Sequence, residues 1–118
     1  MTAGQGTVKW MAPEVLSNAP YTPKSDIYSF GLTMWEVLMQ KSFFDEFKFN
    51  SQIEIQVVNH NSRPPLCNPI SPLLKKLISR CWDPDPNERP TAGIVNSILT
   101  GISPADLFQK SACSSQQE

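Results

Sequence analysis

The chain has 118 residues, of which 40% are hydrophobic and 18% charged, with a formal net charge of -1. That size fits one domain with room for a core, and the near-neutral charge gives no general pull toward nucleic acid or an anionic membrane surface. No apolar run approaches the ~18 residues of a bilayer-spanning helix and no basic-then-apolar leader opens the chain, so a soluble, cytoplasmic protein is expected.

Met1 to Lys9 is rich in Gly and Thr and has no periodicity, which predicts an extended loop lying on other elements and contributing nothing to the core. Ala12-Pro13-Glu14-Val15-Leu16 predicts one short helix: proline is tolerated in a first turn, where its missing N–H is unpaired anyway, and Glu14 sits in the favourable acidic first turn. Ser17 to Pro23 is a proline-bearing loop ending at Ser25 or Asp26, either of which can cap the next helix. That helix, Ser25 to Met39, is apolar almost all round. Winding it at 3.6 residues per turn leaves only Ser29, Thr33, Glu36 and Gln40 on a polar stripe. Such a helix must be wrapped on nearly every side, and the later helices can cover only part of it.

Phe43, Phe44, Phe47 and Phe49 then fall within seven residues, predicting an irregular, partly buried crossing. Ser51-Gln52-Ile53-Glu54 has capping-box spacing, followed by apolar Ile53, Ile55, Val57 and Val58 on a helix to about Asn59. Arg63 to Pro69 cannot be helical, because its prolines lack donors and bias their predecessors toward extended geometry. Ser71-Pro72 restarts a helix with two inner rows, Leu73, Leu77, Cys81 and Leu74, Ile78, Trp82, while Lys75, Lys76, Ser79 and Arg80 face water. After the turn-rich Asp83 to Pro90, Thr91 caps a last helix carrying Ile94, Val95, Ile98 and Leu99 and ending near Gly101. Residues 103–118 read as a polar, disordered tail. Three widely spaced cysteines, Cys67, Cys81 and Cys113, predict reduced thiols rather than a disulfide framework or a zinc site. No repeat and no strand is evident, so the fold class is all-α.

Gly6-Thr7-Val8-Lys9-Trp10-Met11-Ala12-Pro13-Glu14, Ser25-Asp26-Ile27-Tyr28-Ser29-Phe30-Gly31, Cys81-Trp82 and Arg89-Pro90 together resemble the end of the activation segment and the C-terminal subdomains of a eukaryotic protein kinase. One such motif is weak; four in order are specific. The resemblance covers about residues 3 to 102 and implies a partial large lobe with about five helices and no sheet. Gly6-Thr7 resembles the serine/threonine type, whereas Lys9-Trp10-Met11 and Cys81-Trp82 resemble tyrosine kinases, a mixture similar to the tyrosine-kinase-like group. The resemblance implies that Ala12, Pro13, Glu14, Asp26, Gly31, Trp82 and Arg89 are structural motif positions. Glu14 and Arg89 would form a buried salt bridge, and Asp26 would accept backbone N–H groups of a catalytic loop. Thr7 would bond the catalytic aspartate near the substrate hydroxyl, and Thr2 is a candidate phosphorylation site. In ordinary roles these five are a first-turn glutamate with a solvated arginine, a helix cap and two loop threonines.

No catalytic, metal-binding or nucleotide-binding residue is found. The family's Gly-rich loop, strand lysine, His-Arg-Asp loop and Asp-Phe-Gly site have no counterpart: His60 precedes Asn61-Ser62, Asp45-Glu46-Phe47 is no metal site, and Lys9 stands where a third glycine would follow Gly4 and Gly6. The complete family domain uses ATP and Mg, and this chain by itself is expected to hold neither and to be inactive. Phe43 where relatives usually have proline, and His60-Asn61-Ser62 without a glycine, depart from the family pattern. The implied partners are protein substrates or regulators, and exposed apolar faces are expected to drive association. The alternative reading is a non-catalytic, kinase-like interaction module.

Overall fold

The computed structural model describes residues 5–66 and 70–103. A 3-10 turn, Gln5–Trp10, leads into α1 (Pro13–Leu16), α2 (Pro23–Met39), α3 (Asn50–Asn59), α4 (Pro72–Cys81) and α5 (Ala92–Thr100), with a second 3-10 turn at Pro86–Glu88. There is no β-strand among the described residues, as the proline-punctuated helical pattern predicts. Residues 104–118, which include nearly all of the predicted tail, lie outside the described residues, as do Cys67 and Thr2.

The helix α2 starts three to four residues earlier than a Ser25 or Asp26 cap would place it. Thr22 is the cap, Pro23 opens the first turn, and Ser25 Oγ accepts the Thr22 N–H at 3.1 Å. Proline at the first helical position costs no hydrogen bond, so the proline read as part of the loop belongs to the helix. The start of α3 is also shifted. Phe49 is the cap residue, and Gln52 Oε1 accepts the N–H groups of Lys48 and Phe49 at 2.8 and 3.0 Å, so the Ser51/Glu54 box does not form. The reaching-back side chain of a capping box can be Gln as readily as Glu. Ser71 and Thr91 do cap α4 and α5, accepting from Leu74 N and Ile94 N at 3.4 and 3.2 Å.

The core gathers round α2. Ile27, Tyr28, Leu32, Met34 and Trp35 are buried against Leu74, Leu77, Ile78, Cys81 and Trp82 of the α4 region, with Ile53 and Val57 of α3 and Val95 of α5. Gly31 permits the closest α2–α4 approach: a Cβ there would stand 2.9 Å from the Cys81 Cβ. Leu73, Ile55, Val58 and Ile94, read as inner positions, are exposed instead. Leu73 and Ile94 sit at the margin of their helices' buried stripes, whereas Ile55 and Val58 lie on the side of α3 away from its buried Ile53 and Val57.

The structure reverses the reading of the N-terminal stretch and gives the polar stripe a partner. Val8 and Met11 are buried in the core, so the segment is part of it. The stripe on α2 is its dock: Ser29 Oγ donates to the Trp10 carbonyl at 2.6 Å, and Trp10 Nε1 donates to Glu36 Oε1 at 2.9 Å. The phenylalanine crossing closes over the same side. Phe43 stacks edge-on to both Trp10 and Trp35, and Phe44 packs on Phe43 and Phe47, while Phe49 points to solvent. Phe44 adopts φ 60, a backbone conformation uncommon for a bulky residue, held by this ring packing. Opposite lies an open apolar concavity of about 260 Å³, walled by Phe30, Met34, Val37 and Leu38 of α2 with Leu74 and Leu99.

Candidate functional site

Two arginines each precede a proline, Arg63-Pro64 and Arg89-Pro90, and proline holds its predecessor extended. Both guanidinium groups thereby reach inward from irregular segments to the same helix. Arg89, fully buried, places Nη1 and Nη2 each 2.8 Å from a carboxylate oxygen of Glu14, the two-pronged geometry that a planar guanidinium makes with a carboxylate. Two further donors are occupied: Nε donates to the Asp83 carbonyl at 2.9 Å and Nη1 also to the Lys24 carbonyl at 2.9 Å. Lys24 Nζ returns a bond to the Arg89 carbonyl at 2.7 Å, and Ser25 Oγ donates to Glu14 at 3.0 Å. Burial by itself pushes the Glu14 carboxyl up, but the hydrogen bonds from Arg89, its own backbone and Ser25, with the charge of Arg89, more than offset this and hold it below its ordinary value.

Tyr28 lies at the centre of the junction. Its ring carries the Arg63 and Arg89 guanidinium carbons 5.0 and 5.2 Å from its centroid, within cation–π range. Arg63 Nε donates to the Trp82 carbonyl at 3.1 Å, so the two arginines take consecutive carbonyls, those of Trp82 and Asp83, where α4 ends and its dipole is negative. The Tyr28 hydroxyl and Arg63 Nη2 are buried without a hydrogen-bond partner among the described residues. Burial pushes the Tyr28 phenol up to about 12, so it stays neutral at physiological pH, and burial also pulls Arg63 below its ordinary value.

The structure brings Ala12, Pro13, Glu14, Trp82 and Arg89 into this one junction, all buried except the half-buried Glu14, with Gly31 one turn along α2. Asp26 is exposed in the first turn of α2 and accepts the Tyr21 hydroxyl, whose proton is thereby held more tightly, its pKa raised to about 12. Thr7 lies in the first 3-10 turn. Sequence reading missed Tyr28 and Arg63 as members. Their signal was the repeated Arg-Pro pair together with a tyrosine on an otherwise apolar helix face.

Chemically the junction is a clamp. The bonds that Arg89 makes to Glu14 and Lys24, Lys24 to Arg89, Ser25 to Glu14 and Arg63 to Trp82 each join two separate segments, and no side chain is paired as nucleophile and base. Among the described residues no group of three His, Cys, Asp or Glu side chains could hold a metal ion, and the glycine-bearing start runs into a 3-10 turn, not a phosphate loop before a helix. No described helix is long and apolar enough to cross a membrane.

Residues 1–99 match the family model described as protein tyrosine and serine/threonine kinase. The chain is 35% identical over 102 residues to mitogen-activated protein kinase kinase kinase 7 of Bos taurus, covering 86% of this chain and 18% of that protein. It is 39% identical over 89 residues to the dual specificity protein kinase shkD of Dictyostelium discoideum, covering 75% of this chain and 12% of the relative. With shkA of the same organism it shares 38% over 95 residues, 80% of this chain and 18% of the relative. The chain thus spans less than a fifth of the length of these relatives. With the motifs joined in one buried junction and the family match covering most of its length, the chain belongs to the protein tyrosine and serine/threonine kinase family.

Proposed function

We propose that this chain is the C-terminal portion of a serine/threonine protein kinase domain of the tyrosine-kinase-like group, serving ATP-dependent phosphorylation of proteins in cytoplasmic signalling. The observation that carries the reading is the two-pronged Glu14–Arg89 pair, which ties α1 to the segment that leads into the last helix as the family motifs require. The domain portion is residues 1–102 and the remainder a polar tail. Thr7 would face the substrate hydroxyl, Asp26 would receive the catalytic loop, and Thr2 is a candidate for activating phosphorylation. ATP and Mg would be held entirely by residues other than these, so the chain in isolation transfers no phosphate. The apolar concavity over α2, with Phe30 and Val37 exposed, is where the rest of a kinase domain would rest.

Two measurements test this. The isolated chain should melt at the same temperature with and without ATP and Mg, since a ligand that binds the native state raises the midpoint. A saturable ATP-dependent rise overturns the reading. The transcript that encodes it should continue upstream, in frame, into His-Arg-Asp and Asp-Phe-Gly codons; an in-frame stop immediately before Met1 in every transcript favours the interaction module.

A further inference from the structure

Beside the clamp, which it meets at Arg89, an open groove of about 410 Å³ lies between α4 and α5. Its walls are aliphatic: Leu73 on α4 is 46% exposed and Ile94 on α5 is 52% exposed, with half-buried Ile98 one turn further along α5. Two of the larger apolar side chains that the described fold leaves in water therefore converge on one concavity. Lys76 and Arg80, one helical turn apart, stand on the α4 wall beside them. Neither has a carboxylate partner among the described residues; the one bond recorded for the Arg80 guanidinium goes to the Glu88 backbone carbonyl, at 3.5 Å. Glu88, from the 3-10 turn Pro86–Glu88, also lines the groove, so beside Arg89, which is paired with Glu14, the lining carries two cations and one carboxylate.

We propose that this groove binds an amphipathic, acidic helix of a partner protein. Aliphatic side chains one turn apart would fill the space between Leu73 and Ile94, and glutamate or aspartate on the flanking face would pair with Lys76 and Arg80. The length and openness of a cleft between two helices suit a helix laid in a groove, with apolar anchors at i, i+3 and i+4 spacing. A single-stranded nucleic acid is disfavoured by the lining, which has no aromatic side chain on which a base could stack. The groove borders the clamp at Arg89 and shares no lining residue with the concavity over α2, and the side chains proposed to meet the partner, Leu73, Lys76, Arg80 and Ile94, make none of the clamp's bonds, so the proposal does not depend on the proposed kinase activity.

The test is fluorescence anisotropy of a labelled helical peptide with leucines at i, i+3 and i+4 and glutamates on the adjoining face, titrated with the full chain. Saturable binding is expected, weakened about tenfold or more by the double substitution Lys76→Glu/Arg80→Glu and by Ile94→Asn. The charge-reversed chain should instead prefer the same peptide with lysine in place of glutamate, a gain that a misfolded variant cannot give. Lys76→Glu alone, which leaves the Arg80 bond to Glu88 intact, should show the same reversal in smaller degree. Equal binding of the glutamate and lysine peptides by the native chain overturns the proposal, since only apolar stickiness would remain. Binding that appears only after residues 104–118 are removed also overturns it, by making the chain's own end the occupant. So does Lys76- and Arg80-dependent binding to phosphatidylserine vesicles without peptide binding.

Discussion

Two ion pairs fasten the same stretch of chain to the helical body, and they differ in almost everything except length. Lys9 and Asp45 meet at 3.0 Å with side chains 20% and 65% exposed; Arg89 and Glu14 meet at 2.8 Å with side chains 0% and 16% exposed. The first is single-pronged, shared with Ser42, and open to salt and water. The second is two-pronged, and two more guanidinium donors are taken by the backbone carbonyls of Asp83 and Lys24. Separation alone therefore says little about what a pair contributes. A buried charge is costly to leave unpaired, whereas an exposed one is readily re-solvated.

The sharpest way to break the contrast is Arg89→Ala. It strands the Glu14 carboxylate in the junction and frees the carbonyls of Lys24 and Asp83, and loss of one partner of a buried pair costs about 3–5 kcal/mol. Urea denaturation should show either that loss or no cooperative fold. Adding Glu14→Ala to Arg89→Ala should restore part of the stability, because the stranded charge goes with it. If the double variant is as unstable as the sum of the two single ones, the pair is not coupled as the geometry states.

Gly31→Ala probes the same buried side without touching a charge. The new Cβ would meet the Cys81 Cβ at 2.9 Å and the Ile78 carbonyl at 3.5 Å, so α2 and α4 must part. Overpacking of this kind costs about 1–3 kcal/mol. A thermal melt unchanged from the parent chain would mean that the two helices are less tightly opposed than described.

The next effect is in pH. Glu14 has a folded pKa below its ordinary 4.5. The unfolded chain then binds the proton more readily, so the contribution is present above 4.5 and is lost as pH falls through the lower, folded value. In Glu14→Gln the stability should fall less steeply with acid below pH 4.5 than in the parent chain. Parallel acid limbs in the two proteins would remove Glu14 as a source of that dependence.

Much of this contrast was legible in the sequence and part of it was not. Proline and capping residues mark where helices stop and start, so α4 and α5 appear where Ser71-Pro72 and Thr91 place them. Glu14 and Arg89 could be paired only through the family motifs, because their 75-residue separation leaves no local trace. The α2 stripe was legible as polar but its partner was not, because polarity does not distinguish a group bonded to water from one bonded to the Trp10 carbonyl and indole, as Ser29 and Glu36 are. Tyr28 and Arg63 escaped for a related reason: a ring between two guanidinium groups requires three segments to converge, and neither helical periodicity nor spacing encodes that convergence. The cap registers of α2 and α3 differ from expectation because Thr22 and Gln52 are chemically as suitable as Ser25 and Glu54, and the backbone selects between them.

The smallest expected effect completes the comparison. Hydrogen bonds from Ser42 and then Lys9 hold the Asp45 carboxyl below its ordinary value, yet the group is open to solvent, so both it and Lys9 can exchange each other for water when the pair is broken. Lys9 keeps its seat regardless, since its ammonium lies 4.9 Å from the Phe43 ring centroid and 5.5 Å from that of Trp10. Asp45→Asn should therefore leave the urea midpoint unchanged within error, at low and at high salt. In the parent chain, the Asp45 carboxyl should titrate below pH 3.8 as a local event in NMR spectra, without moving the Trp10 and Trp35 indole signals. A loss of stability in Asp45→Asn comparable to that in Arg89→Ala would show that the surface pair, and not burial, fastens the segment, and the distinction between the two pairs would fall.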